Sequence, residues 1–332
     1  DMMGSRETVP RLRAHSTEEI LDLVPHLLGF HPTDSLVVLV VESGVVVVTA
    51  RVDLADIAPT GQLEGLLHRL WTRFPAAGAW LLAYTPDSGL GWDVLQRCEA
   101  FLERAPLCRL TLVSGDSWWS DGPGGPGGRH DPGHGPLAAA AAFHGLPARR
   151  TRAELAACFD PPGQTEYSRL LGLAATVAAE LARQRKGRWP GDLVRVVRAQ
   201  LGNVALGETA AVRLALLACD PPTQEAALLL VNRQNATAHL ALWQAVVNRV
   251  PPEYAGNALA LAGMAGWIAG EGAVVTICLD RLNGSRANPA LPEILQLVCD
   301  DVVPPSLWEV LREGLLSQTT PAVQRALSRS PG

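Results

Sequence analysis

Several features that define common protein classes are missing from this chain of 332 residues. Charged residues make up only 18% of it, and its net charge of −5 gives no electrostatic footprint for nucleic acid or an anionic membrane. The longest nearly unbroken apolar run, 258–268, is about half of the roughly 20 residues that cross a bilayer. We therefore expect no nucleic-acid partner and no membrane association.

The short motifs that identify common cofactors and nucleophiles are also missing. No GxGxxG follows a strand, and neither GxxxxGK[ST] nor GxSxG is present. These patterns build dinucleotide sites, phosphate-binding loops and the nucleophile elbows of hydrolases. We therefore expect no organic cofactor, and nucleophilic catalysis finds little support.

The cysteines are not arranged in metal or redox motifs. None of the six belongs to a CxxC pair, and several lie on apolar helical faces, as is typical of free thiols in a reducing cytosol. No signal peptide is recognisable, and the first five residues resemble a tag remnant that leads into an N-terminal arm ending at residue 15. These features predict a cytoplasmic protein.

The chain contains enough apolar residues, 48%, to form two globular domains. Short Val-rich runs alternate with helical periods from 16 to 136, which predicts an α/β domain with a mixed ββαβαβ sheet that ends in a Gly/Pro-rich loop. From 137 to 332, helical periods separated by Pro pairs predict a mainly all-α domain. The continuous Val and Leu runs of the first two strands predict burial on both faces. The predicted strands are 35–41, 45–50, 79–84 and 108–113, and the predicted helices between them are 61–74 and 90–104.

Polar residues cluster around the first two predicted strands. His31, Asp34 and Ser35 precede the first strand, and Arg51 and Asp53 follow the second. A hairpin brings the start of one strand beside the end of the next, so we expect Asp34 and Arg51 to be cross-strand neighbours joined by an ion pair. This end of the sheet is the predicted site.

Three aromatic residues are expected near that site. Tyr84 ends the third strand, and the Trp118-Trp119 pair precedes the Gly-rich loop, where the indoles either line a pocket or anchor the loop. The polar residues also have structural explanations. Asp34 and Ser35 are common turn caps, Arg51 and Asp53 suit a structural salt bridge, and a histidine such as His31 often bonds to backbone.

The segment 114–136 is rich in Gly, Pro and Asp, which predicts a mobile loop without regular structure. His130 and His134 lie four residues apart in it, a spacing seen in zinc sites. Zinc would require two more ligands held in fixed geometry. The nearby candidates for those ligands are Asp121, Asp131 and His144. On such a loop we interpret the two histidines as solvated, and we expect no metal.

Five motifs follow one another in an order that resembles a known family. They are Leu-Gly-Phe-His-Pro-Thr-Asp-Ser-Leu-Val at 28–37, Arg-Val-Asp-Leu at 51–54, Trp-Trp-Ser at 118–120, Arg-Ala-Glu-Leu at 152–155 and Trp-Ile-Ala-Gly-Glu-Gly-Ala at 267–273. Over about 17–316 the chain is similar to the actinobacterial domain-of-unknown-function family 4192 (DUF4192). The resemblance implies an actinobacterial source and no particular activity.

Three functions therefore stay open. The first is a metabolite-binding module that uses the strand ends of the α/β domain. The second is a cofactor-independent hydrolase or lyase using His31, Asp34 and Arg51. The third is an interaction scaffold that engages a protein partner or a second copy through the helical domain. The residues expected to contact a ligand are Ser35, Arg51, Asp53, Tyr84, Trp118 and Trp119. Convergence of these groups on a cavity would favour the first two functions over the third.

Overall fold

The computed structural model describes residues 16–57, 61–103, 105–131, 135, 139, 148, 151–201 and 206–328. The chain divides into two compact units, Asp1–Arg152 and Ala153–Gly332. The sequence pattern placed the boundary after residue 136. The first unit carries a mixed sheet and the second is largely helical, which confirms the predicted fold class.

The first unit contains one six-stranded sheet with helices packed on it. Its strands are β1 (Ser35–Glu42), β2 (Val45–Asp53), β3 (Gly78–Tyr84), β4 (Cys108–Ser114), β5 (Ser117–Ser120) and β6 (Gly127–Arg129). Its helices are α1 (Thr17–Leu28), α2 (Leu54–Ile57), α3 (Gln62–Arg73) and α4 (Ser88–Phe101). The strand order is β2-β1-β3-β4-β5-β6, with β3 and β4 parallel and the other neighbours antiparallel.

Burial on both faces is confirmed for β1 and wrong for β2. Residues 35–40 of β1 are buried, whereas every residue of β2 is at least partly exposed. The reason is topological, because β1 lies between β2 and β3 while β2 is an edge strand. An apolar run reports hydrophobicity, but its neighbours in the sheet decide how much of it is covered.

The expectation that 114–136 has no regular structure is also wrong. Ser117–Ser120 and Gly127–Arg129 are paired strands, and the turn between them is tight: the Ser120 amide donates to the Pro126 carbonyl at 2.8 Å. A Cβ on Gly125 would lie 2.0 Å from the Ser120 carbonyl oxygen, so glycine is required there. The glycines of this segment therefore serve close backbone approach.

Helices cover both faces of the sheet. On one face, α4 packs so closely that a Cβ on Gly91 would lie 2.4 Å from Cδ1 of Leu112. Glu64 of α3 and Arg97 of α4 join these two helices, with Nη2 of Arg97 2.9 Å from Oε1 of Glu64. The opposite face carries Trp80 and Trp118, and the N-terminal end of α1 lies against it, because Thr17 shares a cavity with both indoles.

The second unit is built from helices, and residues 151–201 and 206–328 contain no strand, as predicted. The helices are α5 (Arg152–Ala157), α6 (Gln164–Ala182), α7 (Trp189–Gln200), α8 (Glu208–Leu217), α9 (Pro221–Leu229), α10 (Ala236–Val247), α11 (Pro252–Ala269), α12 (Gly272–Leu282), α13 (Ala290–Asp300), α14 (Trp308–Gln318) and α15 (Pro321–Ser328). Helix α11 is buried along nearly its whole length and forms the centre of this unit.

A buried amide cluster links α9, α11 and the segment before α13. The side-chain oxygen of Asn257 accepts from Nε2 of Gln224 at 3.0 Å and from the backbone amide of Asn288 at 2.8 Å. The Asn288 side chain in turn donates to Oε1 of Gln224 at 3.1 Å. Asn257 and Gln224 are both about 4% exposed, so these bonds satisfy polar groups that water reaches poorly.

Candidate functional site

The sheet register places most of the predicted ligand-binding residues on one face. Residues directly paired across strands point to the same side. Ser35 pairs with Asp53 on β2 and with Tyr84 on β3, and this row continues through Val113 to Trp118 on β5. Arg51, two residues from Asp53, lies on the same face. Trp119, paired with Leu112, points to the opposite face and is 37% exposed.

The expected Asp34–Arg51 ion pair is wrong. Nη2 of Arg51 lies 2.5 Å from Oδ1 of Asp53, its neighbour on the same side of the same strand, and its guanidinium lies 5.7 Å from the centre of the Phe30 ring. Asp34 is exposed with φ of 42°, and its carbonyl accepts from the Leu54 amide. The register explains the difference, because β1 begins at Ser35 and Asp53 takes the position opposite it.

His31 lies between α1 and β1 and is partly buried. Burial, and then the charge of nearby His26, lower the pKa of His31. Both effects favour its neutral form. Arg51 is bound to Asp53, and the catalytic set of His31, Asp34 and Arg51 stays a prediction.

Four buried polar atoms on the sheet face that carries Ser35 and Trp118 make no hydrogen bond with the described residues. They are Oγ of Ser35, Nε of Arg51, the hydroxyl of Tyr84 and Nε1 of Trp118. Ser35 is fully buried, Tyr84 is 9% exposed and Trp118 is 7% exposed. Burying such a group without a partner costs about 1–3 kcal/mol. A bound water, ion or ligand is one explanation for such a group in a native protein.

A cavity of about 230 Å³ opens on this face, at the N-terminal end of α1. It is lined by Ser16, Thr17, Trp80, Arg109, Trp118, Ser120, Asp121 and Pro126. Thr111 links two of the lining residues: Nε1 of Trp80 donates to Oγ1 of Thr111 at 3.4 Å, and that hydroxyl lies 3.5 Å from Oγ of Ser120. The cavity therefore combines two indoles with hydroxyls and one charge of each sign.

Of the residues that the sequence predicts as ligand contacts, Trp118 alone is among the cavity-lining residues given above. Trp80, Arg109 and Ser120 come from three different strands, so their proximity follows from the strand order. One local signal was available. In Cys-Arg-Leu-Thr-Leu at 108–112, Arg109 and Thr111 alternate with leucines, which indicates a strand with one polar face.

A second group of titratable residues lies on α1 and beside it. Asp22 and His26 lie one helical turn apart and are 9% and 6% exposed. Burial raises the pKa of Asp22 against the lowering effect of His130 and His26. Burial lowers the pKa of His130 against the effect of Asp22 and other carboxylates. Gly135 lies directly on Asp22, because a Cβ there would be 1.6 Å from Oδ2.

The described members of this second group do not meet the requirements of a metal site. Among the described residues, no three His, Cys, Asp or Glu side chains are placed to hold a metal ion. His130, one of the two metal candidates, is partly buried, and its amide donates to the Asp116 carbonyl at 2.9 Å. The interpretation of His130 as a solvated loop histidine is therefore wrong. His134 lies outside the described residues.

The molecule is thus an α/β unit with a polar, helix-covered sheet face, followed by a helical unit. The chain belongs to the family described as domain of unknown function (DUF4192), whose model matches residues 18–306. This confirms the resemblance carried by the five motifs, while the actinobacterial source stays a prediction. No curated protein and no solved structure matches the chain. None of the described helices combines the length and apolar character needed to cross a bilayer.

The hydroxyl of Tyr84 allows a test of whether this face is built for stability. We expect Tyr84→Phe to leave the free energy of unfolding unchanged or to raise it by about 1 kcal/mol, because the hydroxyl makes no hydrogen bond with the described residues. Urea unfolding followed by far-UV circular dichroism measures this. Tyr167→Phe is the control, because that hydroxyl bonds to Oε1 of Glu253 at 2.9 Å and its loss should destabilise slightly. A loss above about 1 kcal/mol for Tyr84→Phe would contradict the expectation.

Proposed function

We propose that this protein is a small-molecule-binding module whose ligand occupies the cavity beside the N-terminal end of α1. The observation that carries the proposal is the composition of the cavity wall. Two indoles face hydroxyls and a guanidinium in a concave site of about 230 Å³. Ligand sites typically combine apolar walls with a few polar groups of this kind.

One buried polar atom supports the same conclusion. Trp118 lines the cavity, and its Nε1 makes no hydrogen bond with the described residues. A face built only for packing would replace such groups by apolar ones of the same shape at little cost. We also propose a reducing, cytoplasmic location, because Cys98 and Cys278 are buried free thiols.

The scaffold alternative has one observation in its favour. Leu297 on α13 and Val310 and Leu311 on α14 are 56%, 69% and 47% exposed. Large exposed apolar side chains can mark an interaction surface. Nothing in the structure indicates what would cover them, whereas the cavity has defined walls. Ligand binding is therefore the function that we propose.

Ligand-observed NMR with a panel of small metabolites tests the proposal. We expect at least one member to show saturation transfer with the wild type and to lose it with Trp80→Leu, which removes one cavity wall. Trp119→Leu is the matched control, because that indole lies on the opposite sheet face, and binding should persist. Hits that survive Trp80→Leu would place the site elsewhere, and a panel without any hit would overturn the proposal.

A further inference from the structure

The cavity holds one positive and one negative side chain next to each other. Nη1 of Arg109 lies 3.8 Å from Oδ2 of Asp121, which is beyond hydrogen-bonding distance. The two side chains are 54% and 49% exposed. Each therefore keeps hydrogen-bonding capacity that the other does not use: N–H donors on the guanidinium and lone pairs on the carboxylate.

The backbone holds both charged residues in place. Arg109 belongs to β4, where it pairs with Trp80 of β3. Asp121 directly follows β5, with φ of 59°, and its amide donates to the Leu110 carbonyl at 3.1 Å. A left-handed backbone conformation at a non-glycine residue is uncommon and persists where surrounding contacts impose it. The carboxylate is thus presented from a fixed turn at the rim of the cavity.

The surroundings argue against a ligand with a large net charge. The opposite charges of Arg109 and Asp121 sum to zero. The first-turn amides of α1 favour an anion. However, Glu18 and Glu19 occupy that same turn and oppose a second negative charge. A ligand that carries one charge of each sign satisfies Arg109 and Asp121 together without adding net charge.

The volume and walls restrict the remainder of the ligand. The cavity volume of about 230 Å³ lies below the ~300–1,000 Å³ of sites for drug-sized molecules. Trp80 and Trp118 offer apolar area to a side chain of a few carbon atoms. These limits match a small amino acid with an apolar side chain.

We infer that the cavity binds a small zwitterion of the α-amino acid type, with its carboxylate on Arg109, its ammonium group on Asp121 and its apolar side chain between the two indoles. The inference rests on the proposed function and specifies the ligand class for the same site. The planar guanidinium donates two N–H bonds to the carboxylate. Asp121 accepts from the ammonium group, and the Ser120 and Ser16 hydroxyls lie in the same wall.

Titration calorimetry of the full chain with L-leucine as the probe tests the inference. Two analogues each lack one charge: 4-methylpentanoate has no ammonium group and L-leucinamide has no carboxylate. We expect each to bind at least about tenfold more weakly than L-leucine, because a hydrogen bond to a charged group contributes about 1.5–3 kcal/mol and 1.4 kcal/mol is a factor of ten. Glycine betaine keeps both charges but has no N–H donor, so it should also bind more weakly than L-leucine.

Variants of the two charged residues complete the test. Arg109→Gln and Asp121→Asn should each weaken L-leucine binding at least about tenfold. Their folding is checked by thermal unfolding, which should change little because the pair is exposed. Arg169→Gln is the matched control, since Arg169 is also 54% exposed and paired with a carboxylate, Glu208.

The outcomes separate the inference from the function on which it rests. If the single-charge analogues bind as tightly as L-leucine, or if Arg109→Gln leaves its affinity unchanged, the zwitterion inference is overturned while the binding site stands. If L-leucine fails to bind but other panel members bind in a Trp80-dependent way, the inference is overturned alone. If no compound binds at the cavity, both fall.

Discussion

Gly256→Ala should lower the free energy of unfolding by about 2–6 kcal/mol. A Cβ at this position on α11 would lie 2.2 Å from the carbonyl oxygen of Arg286, so helix and chain would have to separate. Overpacking of this kind costs about 1–3 kcal/mol. The separation would also strain the bond from the Asn288 amide to Asn257, and losing a buried hydrogen bond adds about 1–3 kcal/mol. Urea unfolding of the full chain measures the loss.

Gly172→Ala is the matched control for this prediction. Gly172 lies within α6, is exposed, and a Cβ there meets nothing within 4 Å. The same chemical change should therefore raise the free energy of unfolding by roughly 0.5–1 kcal/mol, through the helix propensity of alanine. A Gly256→Ala protein as stable as the wild type would contradict the prediction, because it would show that the contact with Arg286 is not tight.

Glu271→Gln should raise the free energy of unfolding by up to about 3 kcal/mol at about pH 8 and leave it nearly unchanged at about pH 4. Burial raises the pKa of Glu271 from 4.5 to about 7. The folded protein thus keeps this proton up to about pH 7, while the unfolded chain releases it near 4.5. Stability contributed by the protonated form is full below 4.5 and is lost as the pH rises to 7. Glutamine cannot ionise, so the variant avoids that loss.

The backbone around Glu271 holds this partly buried residue in place. Its amide donates to the Gly266 carbonyl at 2.8 Å, and Gly270 has φ of 86°, which together close the end of α11. Its carbonyl accepts from the Val274 amide at 3.0 Å at the start of α12. The residue is thus fixed between two helices, and its side chain makes no capping bond to α12.

The pH profile of the wild type contains an opposing contribution from His239. Burial lowers the pKa of His239 from 6.5 to about 4, so its contribution is full above 6.5 and is lost as the pH falls to 4. Denaturant unfolding between about pH 4 and pH 8 should show a steeper rise with pH for Glu271→Gln than for the wild type. Glu293→Gln, at an exposed position of α13, controls for the loss of one negative charge. A variant profile parallel to that of the wild type would refute the role of Glu271.

Local features of the chain were sufficient to predict most elements. Helix α1 was expected at 17–28 and has those bounds, because the side chain of Ser16 accepts from the Glu19 amide at 3.2 Å and Gly29 adopts φ of 81° at the other end. Strands β1, β3 and β4 were expected within one residue of their bounds. These signals lie within a few residues of the element that they define, so no knowledge of partners was needed.

The candidate site was predicted only in part. Ser35, Asp53 and Tyr84 do meet on one face, since a hairpin fixes the register of its two strands and β3 pairs with the same β1. The predicted partner of Arg51, Asp34, was wrong. Asp34 is one residue away from Ser35, and a shift of one residue moves a side chain to the opposite face. Arg109 and Asp121 were not proposed as ligand contacts at all.

By itself, the sequence determined that this protein has a mixed α/β unit, a helical unit, free cysteines and membership of its family. Hydrophobic period, capping residues and motif order carry that information locally. Only the tertiary structure decided that β2 is an edge, that Gly125 and Gly256 accommodate a neighbouring backbone, and that Trp80, Arg109 and Asp121 share a cavity. These properties depend on which strands and helices become neighbours. Two residues that are far apart in the chain but close in space leave no pattern in the sequence around either of them.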